Sequence, residues 1–252
     1  CDARRASMSD DSAPSEDRSS VTGQRIEMLP IFPLPSVVLF PFVRVPLFIF
    51  EPRYRQMVQV AIKRGGVIGM VTVVPDEVEM MTGDPGVFPV GCVGRIESSE
   101  QRPDGTYNLV LEGVSRFRIE REGERPIEQP FRTADVVLLK EPDIDLTPAP
   151  NNDPAVHAIE EYRAQVHAQY TTLLEREAPE FLERFRSGQL DAIPNSVYVN
   201  SIAVALDIST LEKQSLLDCP STLARFEQLL AVLDFKLAEP RLHAIANPTS
   251  LQ

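Results

Sequence analysis

Histidine and cysteine, the side chains best suited to nucleophilic, base or metal-ligand chemistry, are few in this chain and far apart, whereas serines and carboxylates are plentiful. The histidines are His157, His167 and His243, and the cysteines are Cys1, Cys92 and Cys219. His157 and His167 fall on one helical pattern but too far apart to share a metal, and neither an HExxH nor a CxxC spacing occurs. Cys92 lies in a strand-like run with no base beside it, so it reads as a buried free thiol. Cys219 precedes Pro220 at an expected helix start, where the helix N-terminus would lower a thiol pKa. It is therefore the candidate reactive thiol, although no partner base accompanies it. No GxSxG elbow is present. Beyond residue 64 the lysines are Lys140, Lys213 and Lys236, and Lys213 beside Ser209 reads as a solvated helix charge rather than half of a Ser–Lys dyad. Glu77/Glu79 and Asp143/Asp145 sit in polar loops and read as solvated carboxylates. There is no GxxxxGK[ST] loop and no GxGxxG after a strand; Gly91-Cys92-Val93-Gly94 is too short for a phosphate cradle. The expectation is a non-enzyme with no cofactor and no metal.

What remains is the chemistry of contact. Leu47-Phe48-Ile49-Phe50 and Val67–Val74 carry apolar residues at both strand parities. Either both faces of these strands are covered, or one face forms a groove for an apolar segment of another protein. Arg44, Arg53, Arg55, Lys63 and Arg64 lie close by in sequence. The candidate peptide-binding surface is Arg44, Leu47, Phe48, Phe50, Arg53 and Tyr54.

These residues must be positioned by the stretch Leu29–Ile62, the most apolar part of the chain and rich in proline. Proline at that density excludes a spanning helix and predicts short strands separated by turns. Strands are expected over Ile26–Phe32, Val37–Leu39 and Val43–Phe48. A helix then opens at Pro52 with Tyr54, Met57, Val58, Ala61 and Ile62 as its buried stripe. Val67–Val74 and Val87–Ile96 read as strands, with Gly91 and Gly94 marking bulges or close backbone contacts. Arg95–Gln101 and Thr106–Glu112 form a hairpin about Pro103-Asp104-Gly105. Gly113 is expected to break the outgoing strand before Ser115–Glu120, in which Phe117 and Ile119 face inward while Arg116, Arg118 and Glu120 face out. Phe131–Leu139 is the last strand.

Beyond residue 155 the period changes from two to about 3.6. Val156, Ile159, Tyr162, Val166, Tyr170 and Leu173 line one long helix, and Phe181, Leu182 and Phe185 a shorter one. Ser196–Leu206 is a third. Ser209-Thr210-Leu211-Glu212 is a capping box, and a final helix opens at Pro220. The organisation is a disordered tail over 1–25, a β-rich subdomain over 26–139, a linker over 140–155, a helical subdomain over 156–243 and a frayed tail over 244–252. The class is α+β by segregation.

With 252 residues, 43% hydrophobic and 25% charged, the composition is that of a globular protein. A net charge of −12 argues against general nucleic-acid binding. The scattered cysteines, with no signal-peptide pattern and no spanning segment, point to a cytoplasmic protein. The start at Cys1 reads as the edge of a longer or processed chain.

Three stretches in order carry a family likeness. LPIFPLPSVVLFPFVRVPLFIFEPRY (from Leu29) resembles the opening of the N-terminal, substrate-recognition domain of Lon proteases. PDGTYNLVLEGVSRFRI (Pro103–Ile119) resembles its hairpin, and LDISTLEKQSLLDCPSTLARFEQLLAVL (Leu206–Leu233) its closing helices. The resemblance covers about residues 26–240 and is closest to the small stand-alone bacterial form. It implies a PUA-like β-rich pseudo-barrel joined to a helical bundle, and a module that binds unfolded or peptide segments, or a protease or chaperone partner, in protein quality control. The ATPase and Ser–Lys peptidase residues of full-length Lon have no counterparts in this sequence. Two other readings stay open. One is a small hydrolase built on Cys219 or a carboxylate pair. The other is an RNA binder, since PUA-like folds include RNA modules, using Arg95, Arg102, Arg116 and Arg118. The oligomeric state, monomer or weak dimer, is also open.

Overall fold

The structure, a computed structural model, describes residues 23–80, 83–139, 154–188 and 193–246. The expected N-terminal tail and the linker over 140–155 fall largely outside these residues, as does the end of the frayed tail. Six strands come first: β1 Arg25–Leu34, β2 Arg44–Ile49, β3 Val67–Thr72, β4 Val90–Gln101, β5 Tyr107–Glu122 and β6 Arg132–Leu138. A helix, α1 Pro52–Lys63, separates β2 from β3. Five more follow: α2 Pro154–Glu177, α3 Pro179–Ser187, α4 Asn195–Ala205, α5 Thr210–Asp218 and α6 Thr222–Ala246. The class is α+β, with one mixed sheet and a helical bundle.

The sheet order is β2-β5-β4-β3-β1-β6, with a further pairing of β6 to β5. Only β1 and β3 run parallel, with Ile31 opposite Gly69. The long β5 serves two neighbours on one edge. Its first half pairs with β2, Leu109 opposite Leu47, and its second half with β6, Phe117 opposite Leu138. The pairings β1–β3–β4–β5–β6 therefore return to β1, and among the described residues β2 is left with one open edge. Val43 accepts from the Gly113 N–H. By the alternation of an antiparallel ladder, the backbone groups of Arg44, Pro46 and Phe48 then face that open edge. Pro46, which has no N–H, stands where none is needed.

Among the described residues the core is divided into three apolar clusters. Leu29, Ile31, Val71, Val93, Phe117, Ala134 and Val136 pack together between the strands. Tyr54, Met57, Val58 and Ala61 of α1 close over Ile68, Met70, Cys92, Leu109 and Leu111. That covers β3 on both faces and accounts for its continuous apolar run. Ile62, expected in the same stripe, is instead exposed. It lines a shallow cleft of about 280 Å³ with Gln59, Lys63, Gln101 and Tyr107. The helices form the third cluster around Val166, Val199, Phe226, Leu229 and Leu233.

Two strand expectations are corrected. Val37–Leu39 is not a strand. It is the seam between two cores: Leu39 enters the α1 cluster, while Val38 and Phe40 enter the helical cluster. Its side chains are divided between two separate cores, and none of the described strands pairs with it. Gly113, in turn, does not end β5, which is sixteen residues long and continues to Glu122. Its lack of a side chain lets another segment cross, because a Cβ there would stand 2.0 Å from the Phe40 carbonyl oxygen. Gly91 is likewise a close contact, its Cβ position 2.7 Å from the Phe117 ring, and the register shifts between Val93 and Gly94.

The helix signals are expressed locally. α1 opens on Pro52. Ser209 and Glu212 form the capping box of α5. α6 begins at Thr222 rather than Pro220, with the Ser221 hydroxyl accepting from the Ala224 N–H.

Candidate protein-binding surface

β2 sorts the candidate residues by parity. Val45, Leu47 and Ile49 turn toward the α1 cluster, so Leu47 is half-buried. Arg44, Pro46 and Phe48 turn out. Phe50, just past the strand, continues the outward set. Phe48 is 50% exposed and Phe50 61%, and their rings lie 6.1 Å apart at 29°. The Arg102 guanidinium sits 5.8 Å from the centre of the Phe48 ring, a cation–π contact. Two large aromatics side by side on this strand, each at least half exposed, leave much of their apolar surface open among the described residues.

Arg44 is exposed and paired with Glu97 at 2.7 Å. Arg53 is paired with Glu51 at 2.9 Å and lies 4.5 Å over the Tyr54 ring. Tyr54 is only 5% exposed and packs on Phe32 with ring centres 4.5 Å apart; burial pushes its phenol pKa up. The structure thus brings Phe48, Phe50 and Arg102 together, with Arg44 on the same face of the strand, and directs Leu47 and Tyr54 into the core.

Cys219 is not at a helix start. It is the C-cap of α5, buried, with its thiol donating to Gln228 Oε1 at 2.9 Å. Burial raises its pKa, and the weaker pull of Arg225 and Arg116 does not reverse this. An activated thiolate needs the opposite shift. Of the other expected groups, Glu77 accepts from the Gly86 N–H, Lys213 donates to the Val204 carbonyl, and His167 meets the Tyr198 hydroxyl at 3.1 Å. No group of three His, Cys, Asp or Glu residues placed to hold a metal occurs among the described residues. No described helix is long and apolar enough to cross a membrane.

The expected arginine face is also broken. Arg116 is 2% exposed and donates to the carbonyls of Leu217 and Cys219, so it cannot join Arg95, Arg102 and Arg118 at the surface. It belongs to a set of buried polar side chains that sequence reasoning missed. Gln214 accepts from Thr72 at 2.7 Å and donates to the Val90 carbonyl at 3.0 Å. Asn200 donates to the Pro41 carbonyl, and Arg225 to Asn200 Oδ1 and the Leu216 carbonyl. Arg116 and Arg225 thereby satisfy carbonyls of the last turn of α5, which have no partner within the helix. No sequence signal marks these residues, because polar positions on helices and strands ordinarily face water.

Comparison with known proteins agrees with this architecture. Residues 28–234 match the family model of the ATP-dependent protease La (LON) substrate-binding domain. The chain is 27% identical over 219 residues to the Lon protease of Escherichia coli K12, covering 85% of this chain and 25% of that protein. It is 24% identical over 210 residues to the Lon protease of Buchnera aphidicola, covering 83% and 25%. The chain thus spans about a quarter of the length of these curated relatives. A Lon N-terminal domain protein from Xanthomonas campestris superposes with a TM-score of 0.56 at 27% identity, covering 82% of this chain and 98% of that one. The N-terminal domain of the Mycobacterium avium complex Lon protease, at 16% identity, shares the fold with a TM-score of 0.58 over 84% and 98%. The match extends through both the sheet and the helices, and on it the chain belongs to the Lon protease substrate-binding domain family.

Proposed function

We propose that this chain is a non-catalytic module that holds apolar segments of other proteins, unfolded or extended, in the service of protein quality control. The observation that carries the reading is the stacked, exposed pair Phe48 and Phe50 on an open strand of a substrate-binding-domain fold. Arg102 and Arg44 flank the pair and give a polar rim to an apolar centre, the usual layout of a contact surface. We read the returning circuit of strand pairings as a PUA-like pseudo-barrel over 26–139 and the helices as a second subdomain over 156–243. In this reading the first presents the surface and the second braces it.

The experiment is a peptide array of unfolded-protein segments, followed by fluorescence anisotropy on the strongest binders. Wild-type protein is expected to retain apolar segments, and the Phe48→Ser/Phe50→Ser double variant to lose them while melting at the same temperature. Absence of any retained peptide, or equal retention by the double variant, removes the proposal.

A further inference from the structure

The helices reach the strand that carries the aromatic pair through one line of buried polar atoms. Arg225 on α6 is fully enclosed; its Nε donates to the Leu216 carbonyl and its Nη1 to Asn200 Oδ1, both at 2.9 Å. Asn200 on α4 is equally enclosed, and its Nδ2 donates to the Pro41 carbonyl at 2.9 Å. The orientation of this carboxamide is unambiguous. A guanidinium only donates and a carbonyl only accepts, so the oxygen must face Arg225 and the nitrogen Pro41.

The Pro41 carbonyl belongs to the peptide unit that leads into Phe42, whose φ is 65°. That left-handed conformation is strained for a bulky side chain and persists only where the surroundings hold it. Here they do. The Phe42 N–H donates to the Gly113 carbonyl at 2.7 Å, and the Gly113 N–H to the Val43 carbonyl at 2.9 Å. Phe40 is anchored in the helical cluster. Arg44, the residue after Val43, begins β2.

We infer that Asn200 is a positioning residue through which the helices fix the bend at Phe40–Phe42 and so the presentation of β2. The effect on peptide affinity rests on the reading of Phe48 and Phe50 given above; the effect on the bend does not. Asn200→Asp separates the two links. A carboxylate still accepts from Arg225, now as an ion pair, but has no N–H for Pro41, so the link to α6 is kept while the bend loses its anchor.

Amide hydrogen exchange across 42–49 in the full chain is the measurement. Asn200→Asp is expected to speed exchange there at least tenfold with α4 and α6 unchanged, and to weaken peptide binding severalfold. Phe42→Gly relieves the strain and is expected to return part of the protection in the Asn200→Asp background, which general loosening of the fold would not allow. Unchanged exchange over 42–49 in a folded Asn200→Asp protein overturns the inference. If that variant does not fold, Asn200→Ser carries the same expectation and the same contrary result. A wild type that binds no peptide overturns the proposed function alone and leaves the exchange result to decide the role of Asn200.

Discussion

The Arg116 guanidinium on β5 donates to the backbone carbonyl of Cys219, 103 positions further along the chain, and to that of Leu217 at 3.0 Å. One side chain thus ties the sheet to the end of α5. Truncation to Arg116→Met keeps the stem but leaves two buried carbonyls unanswered, which costs roughly 3 kcal/mol. Urea unfolding is expected to show an unfolding free energy lower by that margin, with the midpoint moved to lower urea. Arg116→Lys, a point donor that cannot span both carbonyls, recovers only part of it.

The aromatic pair behaves oppositely. Phe48 and Phe50 contribute little to the core, so Phe48→Ala and Phe50→Ala each change stability by no more than about 0.5 kcal/mol. On the proposed function their effect falls on binding. The double variant is expected to lose about tenfold in peptide affinity, near 1.4 kcal/mol, as read by anisotropy beside a thermal melt.

Arg176, at the end of α2, donates to the carbonyls of Lys236 at 2.9 Å and Leu237 at 3.3 Å on α6. Four residues after Lys236 stands Pro240, which has no N–H to offer that carbonyl. Arg176 therefore supplies the bond that proline withholds. Arg176→Ala is expected to lower stability by about 1 kcal/mol. In a Pro240→Ala background, where the helix satisfies its own carbonyl, the same change has less than half that effect. A double-mutant cycle by chemical denaturation measures the coupling.

Burial lifts the Cys219 thiol above its usual range, so the thiolate is scarce at neutral pH and grows only as pH climbs past the range of an ordinary cysteine. Site-resolved alkylation of native protein is expected to be slow at pH 7 and still rising with pH where a model thiol has levelled. Fast labelling of Cys219 at pH 7 would restore it as a reactive centre.

Much of this architecture is legible in the sequence because its signals are local. Pro52 opens α1, the alternation from Tyr107 marks the packed face of β5, and Ser209 with Glu212 caps α5. What escapes is set by partners distant in sequence. Val37–Leu39 has strand composition, yet it lies between two cores that the chain assembles from opposite ends. Arg116 follows the outward parity of its strand but meets the end of a helix instead of water. The candidate surface shows the same division. Leu47 and Phe48 could not be sorted to opposite faces, because the strand is apolar at both parities, and Tyr54 turns inward because Phe32 and the rest of its cluster wait there. Asn200 had no local signal at all.

The proline on the open side of β2 has a consequence for the molecule in a crowded solution. A strand that displays aromatic side chains beside free backbone groups is a template for edge-to-edge stacking of identical chains into fibres. Pro46 removes one donor from that edge and places a rigid ring in the path of an incoming strand, so the display of Phe48 and Phe50 is uncoupled from self-templating. On the proposed function, the chain can then offer these aromatics to a partner without pairing edge to edge with its own copies.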